Sequence, residues 1–158
     1  MQPPGFVADA MLGRLARWLR VLGFDTLYDA TMHDPDLVAL ATRADRVLLT
    51  RDRHLLRELR PPRALEIRSD APLLQLRGVI EALDLRAPAE LFTRCLVCNT
   101  PLEDVPAEEI ETLVPPAARA LPGPVRRCPG CARIYWPGSH VRRMRRALED
   151  ALPEWLGE

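Results

Sequence analysis

Along residues 1 to about 90, short apolar runs alternate with longer amphipathic stretches. GFVAD at 5–9 reads as a strand that ends on an acid. The spacing of MLGRLARWLRVLG at 11–23 predicts a helix. Leu12, Leu15, Ala16, Leu19 and Leu22 recur every three or four residues, and Arg14, Arg17 and Arg20 fall on the opposite side. Gly23 is a natural stop. FDTLYD (24–29) is a second strand, and DPDLVALATRA (34–44) a helix with Asp34 as its N-cap and Pro35 at its first position. RVLLT (46–50) and ALEIRS (64–69) are strands, followed by helices at DRHLLREL (52–59) and PLLQLRGVIEAL (72–83). Strand and helix thus alternate four times, which predicts an α/β fold with a mostly parallel sheet and helices packed on it.

The texture changes near residue 90. From RAPAELFTR onward the chain is loop-rich, and PPAARALPGP (115–124) is a proline-rich connection with no clear element. HVRRMRRALEDALPEWL reads as a helix to about Leu152 that meets Pro153. The change predicts two domains, 1–90 and 91–158, the second a small module with a basic C-terminal helix.

The four cysteines form two pairs, CLVC at 95–98 and CPGC at 128–131, separated by 29 residues. Two Cys-x-x-Cys pairs fit one tetrahedral structural zinc held by Cys95, Cys98, Cys128 and Cys131. A redox pair is the rival, but neither pair opens a helix after a strand as a thioredoxin-like motif does. With four protein ligands the zinc has no open position for catalysis.

Acids stand at the strand ends: Asp9, Asp29, Asp52 and Asp70, with Asp34 and Asp36 in the second crossover. Ligands of open parallel sheets gather beyond the carboxyl ends of the strands. Clustered carboxylates repel one another, and magnesium or manganese relieves this because both prefer oxygen ligands. Two such ions about 4 Å apart activate water and stabilise the leaving oxygen in phosphodiester cleavage. The competing reading is local: Asp9, Asp34, Asp52 and Asp70 each precede a helical segment, where aspartate caps, and Asp29 suits a turn. Rival chemistries lack support. No glycine-rich phosphate loop, dinucleotide fingerprint or serine elbow is present, and His33, His54 and His140 share no metal spacing.

Composition adds little about partners. Formal net charge is +0, so no global signature of nucleic-acid binding exists, but all 22 basic residues are arginine. Arginine grips phosphate and stacks on bases. The segment ARIYWPGSHVRRMRR combines Tyr135 and Trp136 with His140, Arg142, Arg143, Arg145 and Arg146, a mixture used to bind single-stranded RNA. The competing reading packs both aromatics against the first domain and leaves the arginines as a solvated helix face. No apolar run is long enough to span a membrane, and MQPPGFVADAML has no basic-then-apolar leader, so a cytoplasmic location is expected.

Together, FVADAMLGRLARWLRVLGFDT, RVLLTRDRHLL, RCLVCNTPL and RCPGCARIYWPGSHVRRM resemble the RNase family named for the C-terminal domain of the Mut-seven proteins, in order over roughly 5–146. The resemblance implies a PIN-like three-layer fold followed by a small zinc ribbon, and metal-dependent cleavage of RNA. Its first-strand acid falls on Asp9, the acid opening the helix after the second strand on Asp34, and the LTRD acid on Asp52. Pro35 interrupts the usual acidic pair and leaves Asp34 and Asp36 both open; Asp70 lies where a further acid is often found. Its zinc ligands fall on the four cysteines.

The leading expectation is therefore a magnesium- or manganese-dependent ribonuclease with Asp9, Asp34 or Asp36, Asp52 and Asp70 at the metal. Arg14, Arg17 and Arg51 are candidates for phosphate contact, and the ribbon and segment 140–146 would position single-stranded or structured RNA. The alternative is a non-catalytic RNA- or ribosome-binding module in which the acids are caps. A scaffold role under a protein partner is a third.

Overall fold

The computed structural model describes residues 2–156. Its main sheet has four parallel strands in the order β2-β1-β3-β4: β1 Phe6–Ala8, β2 Thr26–Tyr28, β3 Val47–Thr50 and β4 Ala64–Glu66. Each strand is followed by a helix: α1 Gly13–Val21, α2 Asp34–Arg43, α3 Arg53–Leu59 and α4 Pro72–Leu83. A 3-10 turn at Ala10–Leu12 carries β1 into α1. The α/β expectation with a parallel sheet therefore holds.

The central strands are apolar on both faces because both are covered. Phe6, Ala8, Val47 and Leu49 share a core with Leu15 and Leu19 of α1 and with Leu76, Val79 and Ile80 of α4. Val7 and Leu48 point the other way, to Leu37 and Ala41 of α2 and Leu55 of α3. This alternation along two short strands makes the three layers. Gly23 ends α1 as expected, in the left-handed conformation at φ +85, where glycine avoids the steric cost of a Cβ.

Beyond residue 90 a second sheet forms, antiparallel and three-stranded: β5 Glu103–Asp104, β6 Arg126–Arg127 and β7 Ile134–Tyr135. A short helix, α5 Ala107–Leu113, was not legible in the sequence; it spans only about two turns, and its apolar positions Ala107, Ile110 and Leu113 are not buried. The proline-rich stretch contains a single 3-10 turn, Pro116–Ala118. The basic segment is helix α6 Ser139–Ala151, and α7 Pro153–Leu156 follows. Met144, Leu148 and Leu152 join the same core cluster as α1 and α4, and so do Leu91, Phe92 and Leu96. Among the described residues no helix is long and apolar enough to cross a membrane.

Candidate active site and metal centre

Parallel pairing of β1 with β3 sets Ala8 opposite Leu49, and the Asp9 amide donates to the Leu49 carbonyl at 3.1 Å. Asp9 thereby leaves its strand beside Thr50, and only 7% of it is exposed. Its Oδ1 accepts from the Met11 amide at 3.0 Å and its Oδ2 from the Thr50 hydroxyl at 2.5 Å. The same hydroxyl accepts from the Asp52 amide at 3.0 Å. Thr50, fully buried at the end of β3, therefore links the two acids. Asp52 caps α3, with Oδ1 accepting from the His54 and Leu55 amides at 2.9 and 3.1 Å. Among the described residues its side-chain hydrogen bonds all fall on that oxygen, so capping leaves Oδ2 available.

The other acids behave differently. Asp34 is not the cap of α2. His33 takes that place in an extended conformation, and the Leu37 amide closes the first turn on the His33 carbonyl at 2.9 Å. A helix's first-turn amides have no intrahelical acceptor, so Pro35 is tolerated one position further in, and Asp34 gains from the helix dipole without capping. Asp34 and Asp36 are both exposed in that turn. Asp70 is exposed and does not cap α4 either; Ala71 is the N-cap, and the Ser69 hydroxyl takes the Ala71 amide at 3.3 Å. Asp29 closes its own turn by accepting from the Thr31 hydroxyl and amide, which hold its carboxyl below the usual range.

Sequence reading passed over Glu66, which the β3–β4 register sets opposite Thr50. Arg53 binds it at 2.7 Å and Arg68 lies at 3.7 Å; the Arg53 hydrogen bond depresses its pKa. Arg51 is half-buried and Arg14 exposed, and neither makes an ion pair among the described residues. The topology thus joins Asp9 and Asp52 through Thr50. It does not draw three of the aspartates to within 4.8 Å of one another among the described residues.

The cysteines do meet that spacing, with all four thiols within 4.8 Å. Cys95 and Cys131 sulfurs are 3.7 Å apart and Cys98 and Cys128 sulfurs 3.4 Å. A tetrahedral zinc with Zn–S near 2.3 Å sets its sulfurs about 3.8 Å apart, so the donor set fits one zinc. Backbone turns shape each knuckle: the Asn99 amide donates to the Cys95 carbonyl at 3.0 Å, and Ala132 to Cys128 at 2.8 Å. The thiol of Cys98 is lowered to about 6 by the Thr100 hydroxyl and amide. At Cys131 the Arg133 amide lowers the pKa, but burial and the three neighbouring thiols outweigh it and push the thiol up to about 11. Four crowded thiols resist ionising together, and a bound cation removes that resistance.

A family model described as the Mut7-C RNAse domain matches residues 4–148. The chain belongs to this family. The match begins before β1 and ends within α6, so it includes both the acid edge and all four cysteines. No curated protein and no solved structure matches the chain. A ribonuclease-like family agrees with acids at a sheet edge, and it makes RNA the substrate class to consider.

In this Mut7-C domain the C-terminal arginines Arg142, Arg143, Arg145 and Arg146 are exposed, while Met144 and Leu148 are buried. Tyr135 has a structural place: its hydroxyl accepts from the Leu96 amide at 3.0 Å and lies 3.1 Å from the Cys95 sulfur, and burial raises its pKa. Trp136 is half-buried and Gly138 abuts it; a Cβ there would meet the indole nitrogen at 2.8 Å.

Two residues that tie the Mut7-C ribbon to the sheet escaped the sequence reading. Arg20, set with the solvent-facing arginines, is 6% exposed. Its Nε donates to the Thr26 carbonyl at 3.0 Å, and its Nη1 to the carbonyls of Leu96 and Val97 at 3.0 and 3.1 Å. Burial pulls its pKa down. The available signal was angular: at about 100° per residue Arg20 lies only about 40° from Ala16, on the margin of the apolar stripe. Asn99, left-handed at φ 70, accepts from the Thr26 amide at 3.0 Å and donates to Asp25 at 2.7 Å. Asp25 is itself held by Arg46, which grips both its oxygens at 2.8 and 2.9 Å.

Proposed function

We propose that this domain is a divalent-cation-dependent ribonuclease whose chemistry lies at the carboxyl edge of the parallel sheet. The observation that carries this reading is the Thr50 hydroxyl between Asp9 and Asp52, in a chain of a ribonuclease family. Magnesium is commonly held by one or two carboxylates with water and substrate phosphate filling the rest, and Asp9 with Asp52 is a donor set of that kind. Asp34, Asp36 and Asp70 are further candidates on exposed first-turn and loop positions. Bound there, magnesium or manganese would supply electrostatic stabilisation of phosphodiester hydrolysis.

The chain's own residues have separable tasks. Thr50 fixes the Asp9 carboxylate, so no reorganisation is needed when charge develops. The α3 cap fixes Asp52 through one oxygen and leaves the other for a ligand. Arg14 and Arg51, without an ion pair among the described residues, are cations for a phosphate, and Arg142, Arg143, Arg145 and Arg146 extend the basic surface. Zinc would hold residues 95–98 and 128–131 together as a structural element, with residues 1–90 forming the nuclease domain and 91–158 the ribbon. A cytoplasmic site of action fits an enzyme that needs reduced thiols for zinc.

A non-catalytic RNA-binding reading has one observation in its favour: both oxygens of Asp9 already accept hydrogen bonds within the chain. A labelled RNA panel, incubated with and without magnesium or manganese, decides between them. The ribonuclease reading expects cation-dependent cleavage that falls at least ~100-fold in an Asp9→Asn, Asp52→Asn double variant. Undiminished cleavage in that variant, or none in the wild type with any cation, rejects it.

A further inference from the structure

Away from the acid edge, a cleft of about 540 Å³ opens between α1, β7 and the start of α6. Arg17, Arg133, His140 and Trp136 line it, and no carboxylate does. The contrast is with a larger cleft of about 710 Å³, where Glu90, Asp104 and Glu149 stand beside Arg126 and Arg145. Neither Arg17 nor Arg133 makes an ion pair among the described residues. In a chain of formal net charge +0, this is an unopposed positive pocket with an aromatic wall.

The polar groups are also arranged. Arg17 Nη2 and His140 Nε2 are 3.3 Å apart although 123 positions separate them in the chain. A guanidinium only donates, so in this contact Nε2 is the acceptor. Arg17 keeps further N–H donors, and His140 keeps one. The Trp136 indole N–H has no partner among the described residues, and Gly138 is the residue that lets the ring lie where it does.

We propose that this cleft is a subsite for one unpaired nucleotide of single-stranded RNA. The base lies against Trp136, and its phosphate is held by Arg17 and Arg133 with His140 beside them. The choice of RNA rests on the ribonuclease reading above; the cation and aromatic pairing stands without it. Aromatic faces stack any base, and only an unpaired base is free to stack. The volume lies in the range of pockets that enclose small ligands. Arg17 follows Asp9 by eight residues on the same turn and helix, roughly 12 Å at helical rise, so one strand can reach both places.

The test is binding of a fluorescein-labelled single-stranded RNA 12-mer to the full zinc-loaded chain, in calcium, from 50 to 200 mM salt. Arg17→Ala with Arg133→Ala is expected to weaken binding at least tenfold and to lower the salt slope by about 0.7, one phosphate's worth for a single strand. Trp136→Leu is expected to cost roughly 5- to 150-fold and Trp136→Phe to recover most of it. Zinc content and circular dichroism verify that each variant is folded. Wild-type affinity in folded Trp136→Leu and in the double arginine variant overturns the assignment. So does equal affinity for a blunt RNA duplex, or for an oligoglutamate of the same length. If the wild type binds as expected but never cleaves RNA, the ribonuclease reading falls and the subsite stands. If it cleaves RNA while the cleft variants bind normally, the subsite alone falls.

Discussion

Cys95 and Cys98 stand three residues apart, as do Cys128 and Cys131, whereas Asp9 and Asp52 are 43 residues apart and are joined through Thr50 only because β1 and β3 pair in parallel. A local turn shapes each cysteine pair, and the two turns meet so that all four thiols lie within 4.8 Å of one another. The acids depend on the register of a buried sheet, and each is also used locally as the cap of the turn or helix that follows it. The ribbon has only two-residue strands, and most of its buried apolar residues, such as Phe92, Leu96 and Leu148, sit in the core shared with α1 and α4 rather than in one of its own. The sheet has a continuous apolar core. A metal should therefore be a structural necessity in one region and a ligand in the other.

Substitutions can break that contrast. The largest effect is expected from Cys128→Ser: zinc falls from about one per chain toward zero, and the melting temperature drops by at least ~10 °C. Asp52→Asn is the matched change at the edge and should shift stability by no more than about 0.5 kcal/mol, since asparagine caps as well as aspartate. Comparable losses from both would erase the distinction. Metal analysis and thermal melts read the two variants together.

Next comes the joint between the regions. Arg20→Met leaves the Thr26, Leu96 and Val97 carbonyls without their donor, and a loss of about 3 kcal/mol or more is expected in urea melts. A value under 1 kcal/mol would mean the ribbon is only appended. Thr50→Val keeps shape but leaves the Asp9 carboxylate and the Asp52 amide each short of a partner; about 2 kcal/mol is expected.

A smaller effect is a pH effect. The Arg46 hydrogen bond first, then that of Asn99, holds the Asp25 carboxyl below its ordinary value, against the opposing pull of burial. A depressed carboxyl contributes stability above its unfolded pKa, about 3.9. That contribution is lost as pH falls through the lower folded value. Asp25→Asn should therefore flatten the decline of stability below about pH 4; an unchanged acid limb would separate the Asn99–Asp25 contact from folding energetics. The smallest effect is expected from the exposed Arg77–Glu81 pair of α4, at most about 0.5 kcal/mol on Arg77→Ala.

Legibility followed range. Strand and helix placement along residues 5–83, the stop at Gly23 and the cysteine set were readable because each is carried by neighbours in sequence. Short helix α5 and the exchange of His33 for Asp34 as a cap were not. The first is too short, at about two turns, for its apolar period to register, and the second turns on a proline that any first-turn position tolerates. Arg20 was misassigned because a margin of about 40° on a helix is decided by what packs there, and a distant knuckle packs there.

By itself, then, the sequence determined the layer architecture, through apolar period, and a four-thiol ligand set, through spacing. Tertiary structure alone decided which acid meets which hydroxyl, that Arg20 and Asn99 bind the outer edge of β2, and that Arg17 meets His140. Those are pairings between residues 41 to 123 positions apart or along a buried edge. Such contacts are fixed by strand register and core packing, and no local pattern encodes them.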